Sequence, residues 1–389
     1  MKRQAYEFRD FECFTLELYN LHKTTPTNLL PQFFSLLLYF FVARQVGMSY
    51  HVAVDGVKNI NNDRCLMTKT LSSAKNLLDD PKFREFIDAF TRISKTAEQL
   101  SLAEGRKLST QFFLPADTIY EPVARIENIE IEGKRQNKIP LRIFIPNESK
   151  TLPVLIYLHL GGWVFGNIEE ADPVCRKLAN HLECIVVAVD YCLAPEHPFP
   201  KPLDDCYDAT QWVAKNIAMF GGNSANLIIC GESAGGNMAA AVALMARDKQ
   251  ELFLSAQLLI YPVITSSIKD APYDHCVDRY FLTKEAMEFF WSMYLQSPED
   301  HTNLYASLDQ GTDFTNLPPA LIITAEYDPL HHEAEQYADT LRRAGVEVIF
   351  QCFPEVIHGF LDLPIYEEEK KIGFIEKMGD LLRDIIGNK

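Results

Sequence analysis

A mostly parallel β-sheet with helices on both faces is the architecture this sequence predicts. Three observations carry the prediction. Short, continuous apolar runs recur at 154–158, 185–189, 227–230, 258–261 and 321–323, with a weaker one at 346–350. Stretches of helical periodicity separate most of them, at 171–182, 203–219, 234–247 and 331–344, and a last one fills 369–387. Strands that are apolar throughout are buried on both sides, as happens when crossover helices cover a parallel sheet. Finally, the 227–230 run passes through Gly231-Glu232-Ser233-Ala234-Gly235 directly into an Ala-rich helix. That is a tight strand-to-helix junction presenting a serine.

Composition fits this reading and excludes others. With 47% hydrophobic and 23% charged residues the chain is an ordinary folded one, not a disordered one. Its 389 residues suffice for one large α/β domain plus an addition. The net charge of −16, with no Lys/Arg-rich run, argues against a nucleic-acid partner. The nine cysteines are scattered and contain no C-x-x-C pair, so they predict neither a disulfide framework nor a zinc site. A reducing, cytoplasmic compartment follows.

The first 47 residues differ from the rest. Residues 29–43 are rich in Leu, Phe and Tyr but too few to span a bilayer, which takes about 20 apolar residues. The acidic residues before them and the lack of a small-x-small site argue against a signal peptide. Three readings stand: a weak membrane anchor, an extra piece of lid, or an over-extended start with Met48 as the true one. From 74 to 105 the chain reads helical, with Leu77, Leu78, Phe83, Phe86, Ile87, Phe90 and Ile93 on one face and Asp80-Pro81 as a start signal. Residues 126–131 and 139–145 read as paired strands of an antiparallel edge. The expected organisation is an extension over 1–47, a helical lid region over 48–120, and a catalytic domain over 121–389. About sixty residues between the runs at 258–261 and 321–323 form an insertion, 265–315, with a helix at 283–296; such insertions overlie sites.

The chemistry centres on Ser233. Its glycine neighbours give the turn room, and the helix N-terminus behind it favours a developing oxyanion. A serine nucleophile needs a base, and the base an orienting carboxylate. In strand–elbow–helix sites these follow in the order Ser, Asp or Glu, His. His358, in a loop after the 346–350 run, is the choice over His275, His301, His331 and His332. Asp328 follows the 321–323 run, with Glu326 and Asp362 as competitors. Oxyanion donors are expected from the loop after 154–158, His159-Leu160-Gly161-Gly162-Trp163, joined by the N–H of Ala234.

These residues resemble the hormone-sensitive-lipase-like branch of the α/β-hydrolases, a group of esterases and lipases. The resemblance covers about 126–387 and rests on three blocks. They are Gly231-Glu-Ser-Ala-Gly-Gly236, the segment from Asp190 to Pro200, and Leu317 to Leu330 together with His358-Gly-Phe360. It implies the α/β-hydrolase fold, the catalytic set Ser233, Asp328 and His358, the oxyanion donors Gly161, Gly162 and Ala234, and an N-terminal helical lid over an acyl pocket. Three departures stand out. Leu160 replaces the first glycine of the usual His-Gly-Gly-Gly, Cys192 replaces an arginine, and His331-His332 replaces a charged pair. His159, Glu196 and Asp204 read as scaffold.

The expected function is a serine carboxylesterase or lipase acting on short to medium acyl esters, with no cofactor and no metal. Candidate pocket residues are Trp163, Phe165, Phe281, Phe289, Phe290 and Trp291, aromatics that at helical spacing also suit a plain core. The expected partner is a small-molecule ester, not a nucleic acid, with membrane association only through 29–43 and a dimer as one open oligomeric state. The alternatives are the same triad acting on arylamides or other acyl bonds, and a catalytically silent ligand-binding relative.

Overall fold

The computed structural model describes residue 77 and residues 80–96, 100–268 and 281–387. Residues 1–47, including 29–43, and His275 lie outside the described residues.

Among the described residues two helices come first. Helix α1, Pro81–Thr96, opens as the Asp80-Pro81 signal predicts: Asp80 Oδ1 accepts the Lys82 N–H at 2.8 Å. The sequence reading of one helical stretch to 105 is corrected here. The chain restarts at Ser101, whose side chain caps the Glu104 N–H while the Glu104 carboxylate accepts the Ser101 N–H. Helix α2 then runs over Leu102–Phe113. The restart signal is Ser-x-x-Glu, a capping box that the apolar periodicity of α1 overshadows.

The eight strands among the described residues are β1 (Arg125–Glu132), β2 (Lys138–Ile145), β3 (Leu152–Leu158), β4 (Ile185–Val189), β5 (Gly222–Glu232), β6 (Ala256–Ile260), β7 (Ala320–Tyr327) and β8 (Val348–Ile357). They form one sheet in the order β1-β2-β4-β3-β5-β6-β7-β8. β2 pairs antiparallel with both β1 and β4, and every later pairing is parallel. Helices α3 (Ile168–His181), α4 (Lys201–Asn216), α5 (Ala234–Lys249), α6 (Lys284–Tyr294), α7 (His331–Arg343) and α8 (Glu368–Gly387) complete the domain.

The pleat sorts the core into two layers. Val154, Ile156 and Leu158 of β3 join Ile229 and Leu259 in the layer that holds α4, α5 and α7. Leu155 and Tyr157 join Ile228, Cys230 and Leu258 in the layer that holds α3 and α8. Successive residues of each strand are therefore both buried, which is why the strands read as unbroken apolar runs. Helix α5 is buried from Ala234 to Ala246, and its alanines admit close approach to the sheet.

Three strands outrun their apolar stretches. β5 begins at Gly222, where it meets Leu152 of β3. β7 and β8 stay paired to Tyr327↔Ile357, past a register shift between Ala325 and Tyr327. β8 is the terminal strand, so Pro354 costs no ladder bond there. These extensions carry the residues after β7 and β8 to the same end of the sheet as Ser233. The chain leaves β3 toward β4 on one side and returns to β5 on the other. The loops after β3 and β5 thus flank the crevice where an open α/β sheet binds ligands.

Candidate active site

The turn after β5 holds Ser233 at φ 55°, ψ −115°, a conformation few non-glycine residues adopt. Three backbone bonds enforce it. The Ser233 N–H donates to Ile260 O at 3.0 Å, and its carbonyl accepts the N–H groups of Asn237 (3.0 Å) and Val263 (3.2 Å). The turn is so tight that a Cβ on Gly231 would fall 2.1 Å from the Gly235 carbonyl oxygen.

His358 and Asp328 meet this serine. Ser233 Oγ lies 2.9 Å from His358 Nε2, and Asp328 Oδ2 lies 2.7 Å from Nδ1. The carboxylate keeps the imidazole proton on Nδ1 and leaves Nε2 free to accept the serine proton. Asp328 Oδ1 accepts the Leu330 N–H at 2.8 Å, so both carboxylate oxygens are spoken for. All three residues are buried.

The competitors go elsewhere. Glu326 Oε2 accepts the Glu355 N–H at 2.9 Å beside the β7–β8 register shift. Asp362 faces Glu232 and Tyr261. His301 is exposed on a short turn and His332 is exposed on α7. His331 pairs its Nδ1 with the Thr324 hydroxyl at 2.9 Å and packs edge-on against Phe350, so it supports the loop that carries Asp328.

The loop after β3 brings backbone donors to the serine. Gly161 sits at φ +126°, where a Cβ would come within 2.1 Å of the Phe165 carbonyl oxygen. Its own carbonyl accepts the N–H groups of Val164 and Phe165, closing the turn. The N–H groups of Gly161, Gly162 and Ala234 meet no acceptor among the described residues. His159 stacks on Tyr191 at 4.0 Å, and its Nδ1 lies 2.7 Å from Leu160 O and 3.0 Å from the Tyr191 hydroxyl. Burial pushes its pKa down to about 4. It is a neutral strut for this loop, as the sequence suggests.

Arg106 on α2 ties that helix to the same loop. Its guanidinium donates to Val164 O (3.0 Å), Ala194 O (2.9 Å) and both Glu196 oxygens (2.9 and 2.7 Å). Glu196 is scaffold because Arg106 needs it. Cys192, where the resemblance implies an arginine, is met by an arginine from another element. Arg135, in the turn between β1 and β2, reaches the buried Asp205 at 2.6 Å and the Cys192 sulfur at 3.6 Å. Asp205 also accepts from Asn137 Nδ2 at 2.7 Å and from the Cys192 N–H.

An apolar cavity of about 80 Å³ opens onto Ser233 and His358. Leu160, Gly161, Gly162, Trp163 and Phe165 form one wall, and Phe281, Leu282, Met287 and Phe290 another. Ser109, Phe112 and Phe113 of α2 close it, and the sequence reading missed them. They lie beyond the 74–105 stretch, and only the capping box at Ser101 signals that a helix continues there. Phe289 and Trp291, expected in the pocket, are off it. Helix α6 turns Met287 and Phe290, three residues apart, toward the cavity. Trp291 instead packs against Trp163 at 4.4 Å in the core, and Phe289 lies beside Phe290 at 5.6 Å, outside the lining. Among the described residues no helix is long and apolar enough to cross a membrane.

Comparison with known proteins identifies the family of the chain. The profile of the alpha/beta hydrolase fold family matches residues 155–362. Carboxylesterase NlhH of Mycobacterium tuberculosis is 35% identical over 290 residues, covering 74% of this chain and 90% of its own. An arylesterase of Saccharolobus solfataricus is 33% identical over 310 residues, 79% of this chain and 98% of that one. The solved structure of an ester hydrolase from the metagenome of Lake Arreo, complexed with a bipyridine phosphonate derivative, superposes with a TM-score of 0.73 at 37% identity, covering 79% of this chain and 99% of its own. The protein belongs to the alpha/beta hydrolase fold family, in its hormone-sensitive-lipase-like branch of esterases.

Proposed function

We propose that this carboxylic ester hydrolase cleaves esters of short acyl chains through Ser233, His358 and Asp328. The observation that carries the reading is the line Ser233 Oγ–His358 Nε2 (2.9 Å) and His358 Nδ1–Asp328 Oδ2 (2.7 Å) at the floor of an apolar cavity. His358 takes the serine proton as Oγ attacks the ester carbonyl. The N–H groups of Gly161, Gly162 and Ala234 hold the tetrahedral oxyanion, each donor of this kind being worth about 10²–10³ in rate. His358 then hands the proton to the leaving alcohol, and water repeats the cycle on the acyl-enzyme. Asp328 holds the productive tautomer and stabilises the imidazolium.

The cavity supports the short-chain preference. At about 80 Å³ it is a small apolar space, walled by Phe112, Phe113 and Phe290. Phe112 and Phe113 make α2 a lid over that space, and Arg106 is its fastening to the oxyanion loop.

The test is hydrolysis of p-nitrophenyl esters from acetate to palmitate by the full chain and its Ser233→Ala variant. Activity on acetate to butyrate that Ser233→Ala abolishes is expected. A variant as active as the wild type overturns the assignment, and an optimum at palmitate overturns the short-chain reading.

A further inference from the structure

Directly behind the nucleophile lies a buried carboxyl that the proposed mechanism does not use. Glu232 precedes Ser233 and is fully buried. Its Oε1 accepts the Tyr157 hydroxyl at 2.8 Å, and its Oε2 accepts the Tyr261 hydroxyl. Among its other neighbours is the carboxyl of Asp362. Asp362 belongs to the turn that carries His358: its N–H and that of Leu363 both donate to Gly359 O. Tyr261 completes the connection, with its ring 4.8 Å from the His358 imidazole and its hydroxyl 3.4 Å from Asp362 Oδ2. The Tyr261 hydroxyl thus stands between the residue before Ser233 and the turn that carries His358.

We propose that Glu232 and Asp362 are positioning residues, a carboxyl pair that shares one proton and holds His358 on Ser233, and that losing this proton at alkaline pH releases the base and ends activity. The idea rests on the assignment of Ser233 and His358 above.

The surroundings say where the proton stays. Asp362 faces Lys177 and Glu170 on α3, Lys371 on α8, and Glu232 and Tyr261. Lys371 Nζ binds Glu368 Oε1 at 2.9 Å, and Lys177 binds the other Glu368 oxygen. Two ammoniums therefore answer two carboxylates, Glu368 and Asp362. Burial raises Glu170 to about 7, and its partners Ser109, Thr110 and Asn167 are neutral. Glu232 faces the hydroxyls of Tyr157 and Tyr261, the thiols of Cys175 and Cys230, and Asp362, with no cation among them. Burial and Asp362 push its pKa well up, and the Asp362 pKa is raised as well. The neutral carboxyl of Glu232 donates to the Asp362 carboxylate. When solvent hydroxide removes that proton, two adjacent anions repel and the His358 turn loses its tie to the elbow.

An amide in either place keeps the bridge without a titrating proton. The experiment is the pH profile of kcat and KM, by pH-stat on a short-chain ester, for the wild type, Glu232→Gln and Asp362→Asn, with thermal melts to verify folding. Wild-type kcat is expected to fall about tenfold per pH unit above an alkaline midpoint, with KM nearly constant. Each amide variant stays active at pH 7, within about tenfold of the wild type. Two pH units above the wild-type midpoint, each keeps at least about tenfold more of its own neutral-pH kcat than the wild type does. Either variant suffices should the other fail to fold. A wild type without an alkaline limb, or a limb that both variants keep unmoved, overturns this proposal and leaves the triad standing. An active Ser233→Ala variant overturns the triad and this proposal with it.

Discussion

Replacing Asp328 by Asn probes the proposed triad at its least visible member. The carboxylate has one partner on each oxygen, the Leu330 N–H at 2.8 Å on Oδ1 and His358 Nδ1 at 2.7 Å on Oδ2. An amide must choose which partner meets its NH₂. Facing Leu330 with the NH₂ sets two donors against each other where Asp328 is fully buried, a cost of about 1–3 kcal/mol for each unsatisfied group. Facing His358 with it keeps the Leu330 bond and costs nothing locally. It also makes Nδ1 the acceptor and moves the imidazole proton to Nε2, opposite Ser233 Oγ at 2.9 Å. The base then holds a proton where it should take one. Wrong-tautomer substitution of this kind costs about 10⁴ in kcat, or roughly 5.5 kcal/mol of barrier. The expected result is a kcat on p-nitrophenyl butyrate lower by about 10³–10⁴, with KM within a few-fold and an unchanged melting curve. A loss of less than tenfold would refute the reasoning, because another carboxylate would then be orienting His358. Glu326 is tied to Glu355 and Asp362 to Glu232, so neither stands ready to substitute.

Two further outcomes follow from the cavity and its roof. Phe290 is buried against Gly162 and packs edge-to-face on Phe165 at 6.0 Å, so Phe290→Ala should cost about 3–5 kcal/mol of stability and move the best substrate to a longer acyl chain. Melting temperature and the p-nitrophenyl series check both, and an unmoved optimum would remove Phe290 from the acyl pocket. Glu170 is raised to about 7 by burial, so the folded state binds a proton that the unfolded chain releases near 4.5. This group's contribution to stability is therefore full below that range and is lost as pH rises to about 7, roughly 3 kcal/mol in all. In urea titrations between pH 4 and 8, Glu170→Gln should flatten this part of the decline; an identical slope in the variant would place the Glu170 titration elsewhere.

Much of the candidate site is legible because its constraints are local. Gly231 and Gly235 are demanded by the same tight turn that presents Ser233 to the cavity. Asp328 and His358 each follow a strand whose apolar run marks it. What escapes the sequence is where strands stop and which way helices face. β7 and β8 continue to Tyr327 and Ile357 by pairing with each other, not by apolar content. The turn of α6 that directs Phe290 inward and Trp291 into the core depends on Trp163 and Tyr294, residues that periodicity alone cannot weigh. α2 is marked only by a capping box, because Arg106, Ser109 and Thr110 turn toward Val164 and Glu170 and break its apolar stripe.

By itself, then, the sequence determined the layered parallel sheet and the strand-to-helix turn that presents Ser233, since unbroken apolar runs and a glycine-flanked serine admit few other arrangements. Tertiary structure alone decided the contacts between distant segments. It brought Arg135 to Asp205 and Cys192, closed the cavity with Phe112 and Phe113, and set Asp362 beside Glu232. The physical reason is the same in each case. Burial pattern and turn chemistry are properties of a segment, whereas the pairing of a buried charge depends on which distant element the fold places within a few ångströms of it.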